Sequence, residues 1–417
     1  MTTDPLARDL LQQIQAIPLI DPHTHIDPLR PASRTLDDIL GYHYYTELAH
    51  SAGMSKQPLS PDVAPEERCR AILAHASRFN NTAQYSWLLE ICRTFLGFEG
   101  EAVTEADAGW LWKRAEACMG QPGWEEQVLR LSGLEAVFLT NEFDDPLEGF
   151  DIRRYIPCLR TDYLVFKLHL PEVRQRLEKA TGAAVSDAPS LRKAVEALFT
   201  HFLSRGARAC AISLPPGFTP ERVEDAALTR AIQTDDVEVT ARGAFWMLAE
   251  RCQDTGLPFD LMIGVNRRVY TDGVYQGQDL FDGRMSLIQY AALFNAFPRV
   301  PFCISVLSSG LNQELCSFAW IFPNVITSGH WWYSNVPAFI EPDLRARLQS
   351  VPRTKQIGYY SDMYKLELGL PKFNMYRRVL AKVLADDFVR PGALSMSAAV
   401  ELARDILRNN VRRLFRV

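Results

Sequence analysis

No two cysteines in this chain are close enough to form a CxxC pair. The eight (Cys69, Cys92, Cys118, Cys158, Cys210, Cys252, Cys303 and Cys316) are scattered over 417 residues, which excludes a zinc ribbon and argues for reduced, buried thiols rather than a disulfide frame. No stretch approaches the ~20 apolar residues that span a bilayer. Charge of neither sign dominates: 45 basic residues stand against 50 acidic ones, a net charge of −5, so no strong field draws nucleic acid or an anionic membrane. Internal repeats, low-complexity tracts and Pro/Gly/Ser linkers are also missing. The first residues, MTTDPLARDLLQQIQAIP, include acidic side chains and no apolar signal segment, so a cytoplasmic protein is expected. What is present is an ordinary globular composition, 47% hydrophobic and 23% charged, with ample material for a large core.

Eight short apolar runs recur along the chain, at 18–23, 136–141, 163–168, 208–213, 258–264, 301–307, 324–329 and 356–361. Near-continuous apolar runs, rather than alternating ones, suit parallel strands buried on both faces. Helical stretches such as 188–206 and 240–256 lie between them, each ending in a glycine suited to a helix C-terminus. Strand alternating with helix predicts a (β/α)8 barrel, a TIM-type fold, over residues 1–417 as one domain. The long gap at 29–135, with helical segments at 84–98 and 109–119, is expected to be a mainly helical insertion after the first strand.

In such a barrel the C-terminal ends of the strands face the active site. The first run ends in PLIDPHTHIDP, where His23 and His25 stand two residues apart. Residues i and i+2 of an extended segment project to one side, which suits two imidazole ligands on one divalent ion. Alone, the pair also suits two hydrogen-bonded histidines that end a strand. Asp362, after the eighth run in GYYSDMYK, adjoins the first strand if the barrel closes, and would complete a His, His, Asp set with open coordination positions. Its alternative is a helix N-cap. His330 in SGHWWYSN points toward metal or substrate, or is a structural histidine. Trp331 and Trp332 offer an apolar or sugar-stacking wall, or core packing. Arg267 in IGVNRR can grip a carboxylate, or lie on the surface. Tyr44, in the insertion, can reach over the site as a proton donor, or simply pack. Lys167 and His169, near the end of the third run, acquire no task.

The chain resembles the uronate isomerases (glucuronate/galacturonate isomerases), a branch of the amidohydrolase superfamily. The family's D-x-H-C-H-L opening is met by DPHTHID, its G-x-H-Y segment by GYHYYTELAHSAG, and its L-E-x-x-R-x-F-G by LEICRTFLG. TNEFDDPLE stands for T-x-D-D-P, LMIGVNR for L-H-I-G-A-x-R, WWYSN for W-W-F, and SDMY for T-D-S-R. MYRRVL and DILRNNVRRLF match the closing segments. The resemblance implies that His23, His25 and Asp362 hold one divalent metal ion, zinc in the first instance. It also implies Tyr44 near the substrate, Arg267 as the strand-5 loop arginine, and proton shuttling by Tyr44 or Asp362 during aldose–ketose isomerisation of a sugar acid.

Four departures stand out. Tyr364 replaces the strand-8 arginine, and the arginine of an R-P-D context after the third strand falls on Leu170. Met262 replaces the strand-5 histidine, and ISLPPG replaces the D-H after strand 4. The substrate end, where Tyr364 and His330 are placed with Arg267, Trp331 and Trp332, is therefore expected to be rebuilt around a retained metal core. The alternative function is a mononuclear hydrolase or lyase of the same superfamily acting on a lactone, ester or other sugar-derived substrate. A barrel that binds a sugar without turning it over is the third reading. The expected partner is a small sugar acid, with neither nucleic acid nor membrane, and a homo-oligomer is compatible with the sequence.

Overall fold

The computed structural model describes residues 4–417. Eleven strands form: β1 (Leu19–Asp21), β2 (Leu134–Phe138), β3 (Tyr155–Ile156), β4 (Cys158–Arg160), β5 (Ala209–Leu214), β6 (Phe259–Ile263), β7 (Val265–Asn266), β8 (Leu280–Phe281), β9 (Phe302–Val306), β10 (Val325–Ser328) and β11 (Gln356–Ile357). Two parallel sheets run β1-β2-β3 and β4-β5-β6-β9-β10-β11, while β7 and β8 pair antiparallel as an excursion. A single parallel bridge, Asn141 to Leu159, ties the two sheets. The described strands are not traced as a closed sheet. Helices connect the parallel strands, Asp225–Thr234 and Val237–Thr255 between β5 and β6, and Ser309–Ile321 between β9 and β10, as parallel neighbours require. This is an α/β fold.

Burial explains the strands. All five residues of β6 and all five of β9 are buried, as expected for a sheet covered on both faces. One apolar cluster gathers Ile20, Phe138, Ile156, Cys158, Ala211, Cys303, Ile326 and Ile357 with Val411 and Phe415 of the last helix. It therefore takes side chains from strands at both ends of the order.

Seven of the eight expected runs contain a strand, and the third does not. Residues 163–168 lie largely in a helix, Asp162–Phe166, with Leu164, Val165 and Leu168 buried and Tyr163 exposed. That is a helical spacing, not the period of two of a half-buried strand. The third strand is instead 155–160, split into β3 and β4 by Pro157. A proline in the middle of a run argues against a strand. Here the break is bridged by Asn141, whose Oδ1 accepts from Cys158 N at 3.2 Å, while the Pro157 carbonyl still accepts from Arg208 N. Proline also shortens β1: Pro22 follows Asp21, so His23 and His25 lie beyond the assigned strand.

Between β1 and β2 the chain passes through helices at Asp37–Leu40, His43–Ser51, Pro65–Ala74, Ala83–Leu96, Ala108–Met119 and Trp124–Ser132. Thr82 caps the fourth, accepting from Tyr85 N, and Gly97 ends it in the left-handed conformation, the usual pairing of start and stop. No helix of the described residues is long and apolar enough to cross a membrane. All eight cysteines are free, and seven are buried.

Candidate metal centre and active site

His23 and His25 occupy an extended segment bonded to the segment after β11: Asp362 N donates to His23 O at 3.1 Å and His25 N to Met363 O at 2.8 Å. These bonds set the two imidazoles opposite Asp362. Asp362 has φ 55°, in the left-handed region that aspartate tolerates better than most residues. Its Oδ1 lies 3.2 Å from His25 Nε2 and 3.5 Å from His23 Nε2.

The other ring nitrogens decide what those contacts mean. His23 Nδ1 donates to Asp260 Oδ2 at 3.2 Å. Thr140 gives its one hydroxyl proton to Thr24 O at 3.0 Å and so accepts from His25 Nδ1 at 2.8 Å. Both imidazoles therefore carry their proton on Nδ1 and turn a lone pair on Nε2 toward Asp362. His23 Nε2 and Asp362 Oδ1 are buried without a hydrogen-bond partner among the described residues. Three lone-pair atoms meeting with no proton between them call for a cation. The three lie within 4.8 Å of one another. A tetrahedral ion bound at ~2.0–2.2 Å would space its ligands by about 3.3 Å, close to the two shorter separations. The residues fit a metal ion.

Electrostatics agree. Burial alone would raise the Asp362 carboxyl, but the facing His25 and His23 rings and the Lys372 charge outweigh it and bring it down to about 2. Burial lowers His25 and keeps it neutral. Burial also opposes charging of His23, but its bond to Asp260 and the surrounding carboxylates outweigh it and raise its pKa. Asp21 is pushed up to about 6 by burial, against hydrogen bonds from Ser361 and His23 N–H.

A cavity of about 150 Å³ opens over this centre, lined by His23, His25, Asp362, Arg267, Trp331, Trp332 and Tyr364 among others. Tyr364 stacks on His25, ring centroids 4.9 Å apart. Arg267 sits at the rim, its Nη1 donating to Asp279 Oδ2 at 2.6 Å, with 49% of its side chain exposed.

Two expected site residues are placed elsewhere. His330 is buried against Tyr376, with ring centroids 5.9 Å apart, and does not line the cavity. The cause is the bend at Gly329, φ 44°, where a Cβ would come within 2.2 Å of the Tyr360 ring and whose carbonyl accepts from Arg347 Nη1. Burial, then the Arg347 charge, hold the His330 pKa well below its usual value. Tyr44 is also absent from the cavity wall; its buried hydroxyl has no partner among the described residues, and its ring packs 4.8 Å from that of Tyr42. Its neighbour His43 lines the cavity instead, with Nδ1 2.7 Å from Glu47 Oε1.

Moving the third strand to 155–160 changes another expectation. Leu170 begins the helix Pro171–Thr181, half-buried and away from the cavity, and Lys167 and His169 follow a helix rather than a strand. Arg160, in the sequence R-T-D at the end of β4, lines the cavity and pairs with Asp162 at 3.1 Å and Glu142 at 3.8 Å. An arginine at the end of the third strand thus lines the cavity ten residues before Leu170. Asp260 was also legible in principle, since a lone carboxylate inside the apolar run PFDLMIG needs a partner. Thr140 and His43 stand inside the matched segments TNEFDDPLE and GYHYY, but residue type and spacing alone gave neither a task.

A model of the glucuronate isomerase family matches residues 1–415. A uronate isomerase of Thermotoga sp. (strain RQ2) is 23% identical over 453 aligned positions, covering 100% of this chain and 98% of the relative. A crystal structure of a uronate isomerase from Thermotoga maritima superimposes with a TM-score of 0.90 at 19% identity, covering 99% of this chain and 98% of that one. A glucuronate isomerase from Caulobacter crescentus gives 0.90 at 20%, covering 100% and 95%. The same α/β fold is shared throughout, and the family match spans nearly every residue. The chain belongs to the glucuronate isomerase family and is an isomerase.

Proposed function

We propose that this protein interconverts the open-chain aldose and ketose forms of a uronate, in a single (β/α)8-barrel domain holding one divalent ion, zinc, on His23, His25 and Asp362. The observation that carries the reading is the convergence of three lone-pair atoms, those of His23 and Asp362 buried, in one cavity with Arg160, in a member of this family. Barrel closure is supported by the backbone bonds between His23–His25 and Asp362–Met363, and by the interior cluster that joins Ile20 to Ile357. The insertion packs into the same apolar cluster as Leu19 and the helix Gly369–Leu384, which supports one domain. Two imidazoles and a carboxylate with further positions open suit catalytic zinc. Free, mostly buried thiols suit a reducing cytoplasm.

A divalent ion held by His23, His25 and Asp362 would supply Lewis acidity to a substrate oxygen. Arg160 retains donors beyond its bonds to Asp162 and Glu142, and holds the substrate carboxylate with them. Trp331, Trp332 and Tyr364 present apolar ring faces to the sugar C–H groups. Asp362 is engaged as a ligand, so the proton between C2 and C1 is carried by His43, oriented through Nδ1 by Glu47.

The experiment is turnover of D-glucuronate and D-galacturonate in deuterium oxide, with metal content measured on the same preparation. Near-stoichiometric metal, turnover, and either solvent exchange of the C2 hydrogen or its transfer to C1 are expected. Turnover with neither exchange nor transfer excludes the proton-shuttle route. His43→Gln should keep the metal and lose turnover; if turnover survives, the shuttle passes to Asp362. Metal retained with no turnover of either uronate would leave the isomerase with another sugar acid as its substrate.

A further inference from the structure

Lys372, on the helix Gly369–Leu384, lies outside the wall of the cavity described above and is given no catalytic step, yet its side chain is fully buried. Its Nζ donates to Ser361 O at 2.7 Å and to the Tyr42 hydroxyl at 3.0 Å. It also lies 5.0, 5.1 and 5.0 Å from the ring centroids of Tyr42, Tyr44 and Trp87. Tyr42 passes the connection on, its hydroxyl donating to Asp362 O at 3.0 Å. The ammonium is thereby tied to the carbonyls on both sides of Asp362, to Ser361 O directly and to Asp362 O through Tyr42. Holding the two peptide planes that flank a residue holds its φ and ψ. This residue has φ 55°, a left-handed conformation that L-residues adopt at an energetic cost, smaller for aspartate than for most. From that conformation Oδ1 reaches both imidazoles.

We propose that Lys372 is a positioning residue for Asp362: through Ser361 and Tyr42 it clamps the backbone that aims the metal-binding carboxylate. The inference rests on the reading of His23, His25 and Asp362 as a metal site. It differs in sign from a purely electrostatic role. A fixed positive charge close to a dication repels it, so a lysine acting only as a charge would leave the metal bound more tightly once neutralised. A lysine acting as a clamp leaves it bound more weakly.

The test is the affinity of the full-length protein for Zn²⁺, by competition with a chromophoric chelator, for wild type, Lys372→Met, Tyr42→Phe and the double variant. Melting of the metal-free proteins is recorded alongside. The clamp predicts that Lys372→Met and Tyr42→Phe each weaken Zn²⁺ binding by about 10-fold or more, in the range for residues that orient ligands. The double variant should be no weaker than Lys372→Met alone, since both act through one chain of bonds. Metal-free Tyr42→Phe should melt close to wild type. Zn²⁺ affinity equal to or tighter than wild type in the variants overturns the proposal while leaving the metal site intact. If Lys372→Met fails to fold, Tyr42→Phe alone decides by the same criterion. A wild type that binds no Zn²⁺ overturns the metal reading and the clamp together.

Discussion

On one side of the cavity, His23, Asp260 and Asp362 are all buried, and both histidines, His23 and His25, are oriented through the ring nitrogen facing away from Asp362. On the other side, the excursion through β7 and β8 puts Arg267, Gln276 and Asp279 along the rim, with Tyr275 85% exposed at its turn. The deep wall is built from segments at the two ends of the chain, locked by backbone bonds and by a fully buried lysine. The rim is a local hairpin held by the Arg267–Asp279 pair and by Gln276 Nε2 donating to the Tyr364 hydroxyl at a long 3.4 Å. Buried, fully oriented groups lose much when one partner is removed, whereas exposed pairs lose little. The deep wall is therefore expected to set whether the reaction occurs, and the rim to tune how substrate is admitted.

That contrast can be broken or sharpened in order of effect. His23→Ala should abolish both metal content, by elemental analysis, and turnover. Full metal in the variant would remove His23 from the ligand set and dissolve the contrast at its root.

The next effect is one of pH. Burial lowers Lys372 to about 8 from 10.5. Between those values the unfolded chain binds more protons than the folded one, so stability rises with pH through that window, by about 3 kcal/mol. Below pH 8 both states are protonated and the contribution is flat. Urea unfolding at pH 7.5 and 10 should show this rise in wild type and not in Lys372→Met; parallel behaviour of the two would show that the lysine is not strained by burial.

Arg160→Met should lower kcat/KM for a uronate by roughly 10- to 150-fold, the equivalent of about 1.5–3 kcal/mol for charge-assisted bonds, with metal content unchanged. A neutral hexose should lose far less, and equal losses would remove Arg160 from carboxylate recognition. Smallest is Arg267→Gln, where a half-exposed pair contributes about 0–1 kcal/mol and kcat/KM should fall by no more than about fivefold. A loss as large as that of Arg160→Met would make the rim as decisive as the deep wall.

Much of the deep wall could be read from the residue string. His23, His25 and Asp362 were legible because two imidazoles at i and i+2 and a carboxylate after the last apolar run are ligand types at strand ends. Seven strands were legible because burial on both faces leaves uninterrupted apolar runs. The third strand was not, since Pro157 breaks the run and the β-like letters of YLVFKL belong to a helix whose buried side follows a period near four. One misplaced strand then hid Arg160 and sent the search to Leu170. His330 and Tyr44 lie off the cavity wall for another reason: each sits beside a residue that does face the cavity, and a single step along the backbone turns a side chain away.

The residue string by itself determined the α/β alternation, the candidate His, His, Asp cluster and the resemblance to one family, because these depend on residue type and short-range spacing. Only the tertiary structure decided which side chains share the cavity and what holds them. Asp260, Thr140, Arg160 and Lys372 come from segments far apart in sequence. Their roles consist of a proton accepted, a carboxylate paired or a carbonyl tied at about 3 Å, and no local pattern records a distance across the fold.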